Sequence, residues 1–442
     1  MDLRTWVVDL RRRGELAVVS RPVALAEEMA SVIAALGGRP VLFEQPLAPG
    51  WRVVANLVAR REVVAQGLGV PADHLAARLV EAMRQPRPPE LVADPPCQEV
   101  VEPEVDLERL PILTHTAADP GPYVTAGVAI IADPDTGPNA AFHRLLRLDR
   151  RRFVARLVEG RGTHTAWSKT ARDLPVAICL GAPLQVLLAA AMSPPAGQDE
   201  LCIAQALAPT PVARCQTLPL VVPAECEAVL EGRLTHELAP EGPFIDLTET
   251  YDAVRPQPVL EVDRITHRRD PIYQALLPGG PEHRLLMGMP REPSIYDAVA
   301  RVCPVRRVYV TPGGTSWLHA VVQIAKAHPD DGRRAIEAAF RGHGSLKHVV
   351  VVDDDVDPSD PHQVEWAIAT RVQADRDLVI LPAQPGSSLD PSARQAPGRK
   401  AQTAKMGIDA TVPWDSPTGP ASPASFRRVS YPPVDLGDYL DT

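Results

Sequence analysis

The sequence predicts an α+β protein in which two α/β units flank a central antiparallel β domain, and three observations predict it. Helical and strand patterns alternate from Met1 to about Arg87; short β-rich runs separated by turn residues fill the stretch from about Asp106 to Pro290; the alternation returns after Arg291. The expected domains are residues 1–105, 106–296 and 297–442.

The first unit reads as a helix through Trp6–Arg13 stopped by Gly14, a strand ELAVVS, a helix AEEMASVIAAL ended by Gly37 and Gly38, and a strand PVLFE. A proline-rich bridge, RQPRPPELVADPPCQEVVEPEVD, closes it. The central runs are YVTAGVAIIADP, AAFHRLLRLD, FVARLVE, VAICLGAP, PVARCQTLPLVVPAE and VLEVDRITHR, as in an antiparallel barrel or sandwich, with LQVLLAAAM as an inserted helix. In the last unit RRVYVTP, LHAVVQIAKAH, DGRRAIEAAFRG and HVVVVDDDVD predict strand, helix, helix and strand before a polar tail. Asp353, Asp354, Asp355 and Asp357 at the end of that strand read as a solvated turn with caps for the next helix, not as a metal site.

With 442 residues, 45% of them apolar, the chain can bury a sizeable core. A net charge of −9 gives a phosphate backbone nothing to attract, so nucleic acid is excluded as an expected partner. The N-terminal stretch is charged and amphipathic, and no run of about eighteen apolar residues occurs anywhere, so no membrane span and a cytoplasmic location are expected. The six cysteines form no CxxC pair, which argues against a zinc knuckle or redox dithiol. The 48 prolines are scattered among periodic segments and read as loop stiffeners; aromatics at 4% leave a flat ligand to be gripped mostly by aliphatic side chains.

Three segments of the middle region supply what an anionic cofactor and a carboxylate substrate need. In NAAFHR, Asn139 and Arg144 stand five apart on a β-like run, so a bulge or twist is required if both address one site. MSPPAGQDEL is a proline-rich turn delivering Glu200. EGPFID places Glu241 and Asp246 across a Gly-Pro turn that can fold both carboxylates toward one cleft. Taken singly, each reads as a turn residue, a surface arginine or a helix-start carboxylate; their combination carries the argument.

With these motifs in one order, the sequence resembles the UbiD family of decarboxylases along nearly its whole length. The likeness rests on VVANLVARREVVAQGLGV, YVTAGVAIIADPDTGPNAAFHR, MSPPAGQDE, VVPAECEAVLEGRL, APEGPFIDLTETY, HVVVVDDDVDPSDPHQVEWAIATR and KMGIDAT. The resemblance implies a split β-barrel flavin-binding domain, with prenylated FMN between it and a C-terminal α/β oligomerisation domain. It further implies a divalent metal, Mn2+ or Mg2+, bridging the cofactor phosphate to an Asn, a His and a Glu, with K+ beside it. Asn139 and Glu200 match two of those ligands, and their oxygens suit a hard cation. Arg144, Glu241 and Asp246 match the catalytic trio. Lys405 matches a lysine that approaches the phosphate, and Met192 and Ser193, which open MSPPAGQDE, are expected beside the cofactor. Where the family carries its metal-binding histidine this chain reads LVEGRGTHTAW, with Glu159, Gly160 or Arg161; His164 lies slightly further on and is the expected ligand, with Glu159 as its substitute. His319 falls where some members place substrate-pocket side chains.

The implied reaction is reversible non-oxidative decarboxylation of an α,β-unsaturated, aromatic or heteroaromatic acid, the cofactor serving as electron sink. Arg144 is expected to hold the substrate carboxylate in a bidentate fork, Glu241 to act as general acid, and Asp246 to keep the arginine in place. A flavin prenyltransferase would supply the cofactor, and family members are homo-oligomers, commonly dimers or hexamers. Two competing readings are an ordinary FMN-dependent reductase and a non-catalytic subunit of a related complex. TPGGTS lacks the GK[ST] ending and is no P-loop.

Overall fold

The computed structural model describes residues 1–48, 50–396, 400–414, 426, 429 and 431–439. At the N-terminus, Asp2 caps helix Leu3–Arg12 through Thr5 N–H at 2.8 Å, and the helix buries Leu3, Trp6, Val7 and Leu10 on one face. The adjoining sheet has four strands in the order Ala17–Val19, Val41–Phe43, Arg52–Ala55 and Ile272–Gln274. The first unit is thus completed by a strand from far along the chain. Buried Glu282, just after that strand, accepts the N–H groups of Asn56 and Val58 at 2.7 and 3.0 Å and ties the same region down.

The central sheet has nine strands, and its main path runs Tyr123–Val124, Leu145–Arg147, Arg152–Ala155, Arg255–His267, Ala228–Glu241, Leu174–Leu180, Val128–Asp133 and Gly137–Phe142. No described pairing joins the two ends, so the antiparallel domain is present as an open sheet and closure into a barrel is not shown. The reason lies at the edges: Tyr123–Val124 is only two residues long, and Gly137–Phe142 packs against helices Leu184–Ala191 and Glu200–Leu207 in place of a further strand. Leu184–Ala191, the inserted helix of the sequence reading, is buried on every side. The long strands Ala228–Glu241 and Arg255–His267 pair with Glu241 opposite Arg255, so residues 242–254 form a hairpin tip, itself closed by the short ladder Phe244–Ile245 with Tyr251–Asp252.

The C-terminal unit is a five-stranded mixed sheet in the order Val305–Val310, His319–Ile324, His348–Asp353, Gln402–Asp409 and Leu378–Pro385. Here LHAVVQI is a strand, where the sequence predicts a helix. Ala320, Val322 and Ile324 enter one buried cluster and Val321 another, so both faces are covered and the apolar run has no single helical stripe. Asp353 and Asp355, expected in a solvated turn, pair at 3.2 and 2.6 Å with the buried Arg371 of helix Pro361–Arg371, which Asp360 caps. No helix among the described residues is long and apolar enough to cross a membrane.

Candidate active site

A cavity of about 640 Å³ opens between the central sheet and the C-terminal unit, lined from one side by Asn139, Arg144 and Asp246 and from the other by Trp317, Gly344 and Ser387. Arg144 stands where the chain leaves strand Gly137–Phe142 and enters Leu145–Arg147. The break between the two strands, stabilised by His143 Nδ1 donating to Arg156 O at 3.0 Å and Arg156 N donating to Arg144 O at 3.1 Å, is the irregularity that lets Asn139 and Arg144 face one space. Those bonds leave His143 Nε2 to accept from Thr163 at 2.8 Å, and burial lowers its pKa to about 4, so this imidazole is neutral.

The hairpin tip wraps acids around Arg144. Its Nε and Nη2 donate to the two oxygens of Glu241, both at 2.8 Å, Nη1 donates to Asp246 at 2.8 Å, and Nη2 also reaches Asp252 at 2.9 Å. The turn after Glu241 requires Gly242, whose φ is +94° and whose absent Cβ would lie 3.2 Å from Ala253 O. Phe244 stacks under the guanidinium at 4.7 Å. Burial opposes the charge of Arg144, but hydrogen bonds and the field of Glu241, then Asp246 and Asp252, outweigh it and raise its pKa. Asp252 is also buried; Arg255, Arg144 and Arg156 overcome that penalty and lower its pKa.

Arg144 turns its Nε–Nη2 edge to both oxygens of Glu241. Glu241 is fully buried, also accepts from the Tyr123 hydroxyl at 3.3 Å, and lies behind the residues of the cavity wall. Asp246 does line the cavity.

At the other end, Glu200 opens helix Glu200–Leu207 and accepts Ala140 N–H at 2.9 Å, which sets it beside Asn139. Burial raises its pKa to about 7, against the pull of Ala140 N–H and Arg291. Asn139 Nδ2 is buried without a partner, and its Oδ1 faces Gly162, where a Cβ would come within 2.5 Å. Met192 and Ser193 line the cavity. Lys405 lies under the wall, donating to Gly344 O at 2.7 Å, with its pKa lowered to about 8 by burial.

Two expected residues are not brought in. His164 sits on helix Gly162–Lys169 against Trp167 and does not line the cavity. His319 begins a strand beneath the Pro312–Gly314 turn; its Nε2 is buried without a partner, and Trp317, two residues earlier, occupies the wall instead. Among the described residues no group of three His, Cys, Asp or Glu side chains could hold a metal. Asp252 and His283, both on the cavity wall, escaped the sequence reading. Asp252 follows directly on the motif APEGPFIDLTETY, and its acidity next to that run was the available signal.

Comparison with known proteins matches three family descriptions in sequence: the 3-octaprenyl-4-hydroxybenzoate carboxy-lyase N-terminal domain over residues 7–83, its Rift-related domain over 90–281 and its C-terminal domain over 284–410. The chain belongs to the UbiD family of carboxy-lyases. Among its relatives in this family is the anhydromevalonate phosphate decarboxylase of Methanosarcina mazei, 43% identical over 415 residues, covering 93% of this chain and 96% of the relative. The enzyme of that name from Methanothermobacter thermautotrophicus is 41% identical over 94% of this chain and 97% of its own length. Of solved structures, the UbiD-class enzyme HmfF from Pelotomaculum thermopropionicum in complex with FMN superposes with a TM-score of 0.90 at 37% identity, covering 99% of this chain and all (100%) of that one. An evolved dimeric form of HmfF in complex with prFMN also gives 0.90, at 36% identity, with 99% and 100% covered.

Proposed function

We propose that this UbiD-family carboxy-lyase removes CO2 from a phosphorylated α,β-unsaturated acid of the anhydromevalonate phosphate kind, with prenylated FMN as cofactor. The observation that carries the reading is the Arg144 cluster on the wall of a cavity roomy enough for a flavin, at about 640 Å³, in a chain 43% identical to a decarboxylase of that name. Prenylated FMN supplies the electron sink for the pair left on carbon when CO2 departs.

The chain's own residues do the rest. Arg144, held by Glu241, Asp246 and Asp252, stands on the cavity wall where a substrate carboxylate would enter and fixes Asp246 there. Asp246 brings the proton to the carbon that lost CO2: it touches Arg144 and meets the cavity, as Asp252 does, but Asp252 is also held by Arg255 at 2.6 Å, which with Arg144 and Arg156 lowers its pKa against burial and keeps it ionised. Glu241 is a positioning residue. Asn139 and Glu200 offer two oxygen donors to a hard cation such as Mn2+ or Mg2+; with His164 elsewhere, cofactor phosphate oxygens would complete its shell. K+, a flavin prenyltransferase as supplier, a cytoplasmic location and assembly as a homodimer or homohexamer belong to the same proposal.

The test is to co-express the chain with a flavin prenyltransferase and follow CO2 release from phosphorylated anhydromevalonate and from furoic and dihydroxybenzoic acids. Release from the first alone supports the reading. Release only from the aromatic acids contradicts it.

A further inference from the structure

We infer that Arg161 and Arg291 form a site for a phosphate dianion in the cavity wall, distinct from the carboxylate cluster of Arg144; the inference rests on the reading that this cavity takes phosphorylated ligands. The other cavity arginines are already neutralised. Arg144 holds three carboxylates, and Arg156 pairs with Glu159 at 3.4 Å and Asp252 at 3.8 Å. Arg161 and Arg291 line the same cavity, yet neither forms an ion pair with any described carboxylate.

A guanidinium partly withdrawn from water, as that of Arg291 is, is costly unless an anion meets it, and the exposed Arg161 adds a second charge on the same wall. Arg291 is held rigidly: its guanidinium lies over the Trp317 ring at 5.2 Å, and its Nε is buried with no hydrogen-bond partner. Burial, then the like charge of Arg161, lowers its pKa to about 9, and only Glu200 offsets this. Asn139 Nδ2 is a further buried donor without a partner, on the strand that carries the Glu200 contact. Gly162, next to Arg161, is what allows the Asn139 amide so close, since a Cβ there would stand 2.5 Å from Oδ1. Two guanidiniums and an amide match a doubly charged tetrahedral anion better than a single carboxylate.

The phosphate could be the cofactor's or the acid's, and binding separates them. Arg161→Gln, at an exposed position, and Arg291→Gln are compared with the unaltered protein after checking that each keeps its melting temperature. FMN and riboflavin affinities of the apoprotein are read by fluorescence quenching, inorganic phosphate by the rise in melting temperature, and KM with phosphorylated and unphosphorylated acid on the loaded enzyme. Loss of about tenfold in FMN affinity with riboflavin unaffected assigns the cofactor phosphate. An unchanged FMN affinity with KM for the phosphorylated acid raised about tenfold assigns the substrate phosphate. If both variants keep FMN affinity, the phosphate effect and KM within about twofold, the site does not exist. That result leaves the decarboxylase reading standing, whereas a weakened FMN arm in a protein that releases no CO2 upholds the site and removes the substrate.

Discussion

Glu241→Gln separates a positioning residue from a proton donor. In the structure both Glu241 oxygens accept from Arg144 at 2.8 Å and one also meets Tyr123 at 3.3 Å, with no solvent exposure. Glutamine keeps the shape but offers one acceptor, and its amide turns a donor toward a guanidinium N–H. One charge-assisted hydrogen bond is lost, worth about 1.5–3 kcal/mol, and a buried donor is left facing a donor. Asp246 and Asp252 still balance the Arg144 charge, so the cost stays near the low end of the ~3–5 kcal/mol for breaking a buried pair. We expect the apoprotein to lose about 3 kcal/mol of stability in urea unfolding followed by tryptophan fluorescence. Turnover should fall because Arg144 and Asp246 shift, yet measurable CO2 release should remain, since Asp246 still supplies the proton. A variant with unaltered stability and no CO2 release above background would return the proton-donor role to Glu241.

Other outcomes follow from the same geometry. Asp246→Asn should lower kcat by about 10²- to 10⁴-fold while FMN affinity, measured by quenching, stays the same. Burial raises the pKa of Glu200 and of Glu282 from 4.5 to about 7, so the native state prefers their protonated forms. Their contribution to stability is then full below about 4.5 and is lost as pH rises through about 7; thermal melts of Glu282→Gln should show a shallower fall over that window than the unaltered protein. Manganese affinity of the apoprotein should rise over the same interval as Glu200 ionises, and Glu200→Gln should remove that rise in a calorimetric titration. Arg371→Met leaves Asp353 without its buried partner and should cost about 3–5 kcal/mol, read by urea unfolding; an unchanged midpoint would mean that the pair contributes nothing.

Local chemistry made much of this molecule legible from its sequence. Gly242 and Pro243 announce the turn that folds Glu241 and Asp246 onto one guanidinium, and the need for a break between Asn139 and Arg144 follows from strand alternation alone. What stayed hidden depends on tertiary partners. LHAVVQI carries the apolar density of a buried helix and becomes a strand because neighbours pair along both of its edges. Strand Ile272–Gln274 completes a sheet begun over two hundred positions earlier, which no local pattern reveals. The placement of His164 and His319, one on a helix against Trp167, the other beneath a turn, is likewise set by packing that a motif does not show. The same limit applied to Glu241: an acid in a motif shows that it is needed, not whether it faces the substrate or the arginine behind it.

The most direct test of the account is one turnover of phosphorylated anhydromevalonate in D2O by the prenylated-FMN-loaded protein, compared with its Asp246→Asn variant. The expected result is CO2 release with one deuterium on the carbon that bore the carboxylate, and loss of both in the variant. An Asp246→Asn protein that releases CO2 and deuterates its product at the unaltered rate would contradict it.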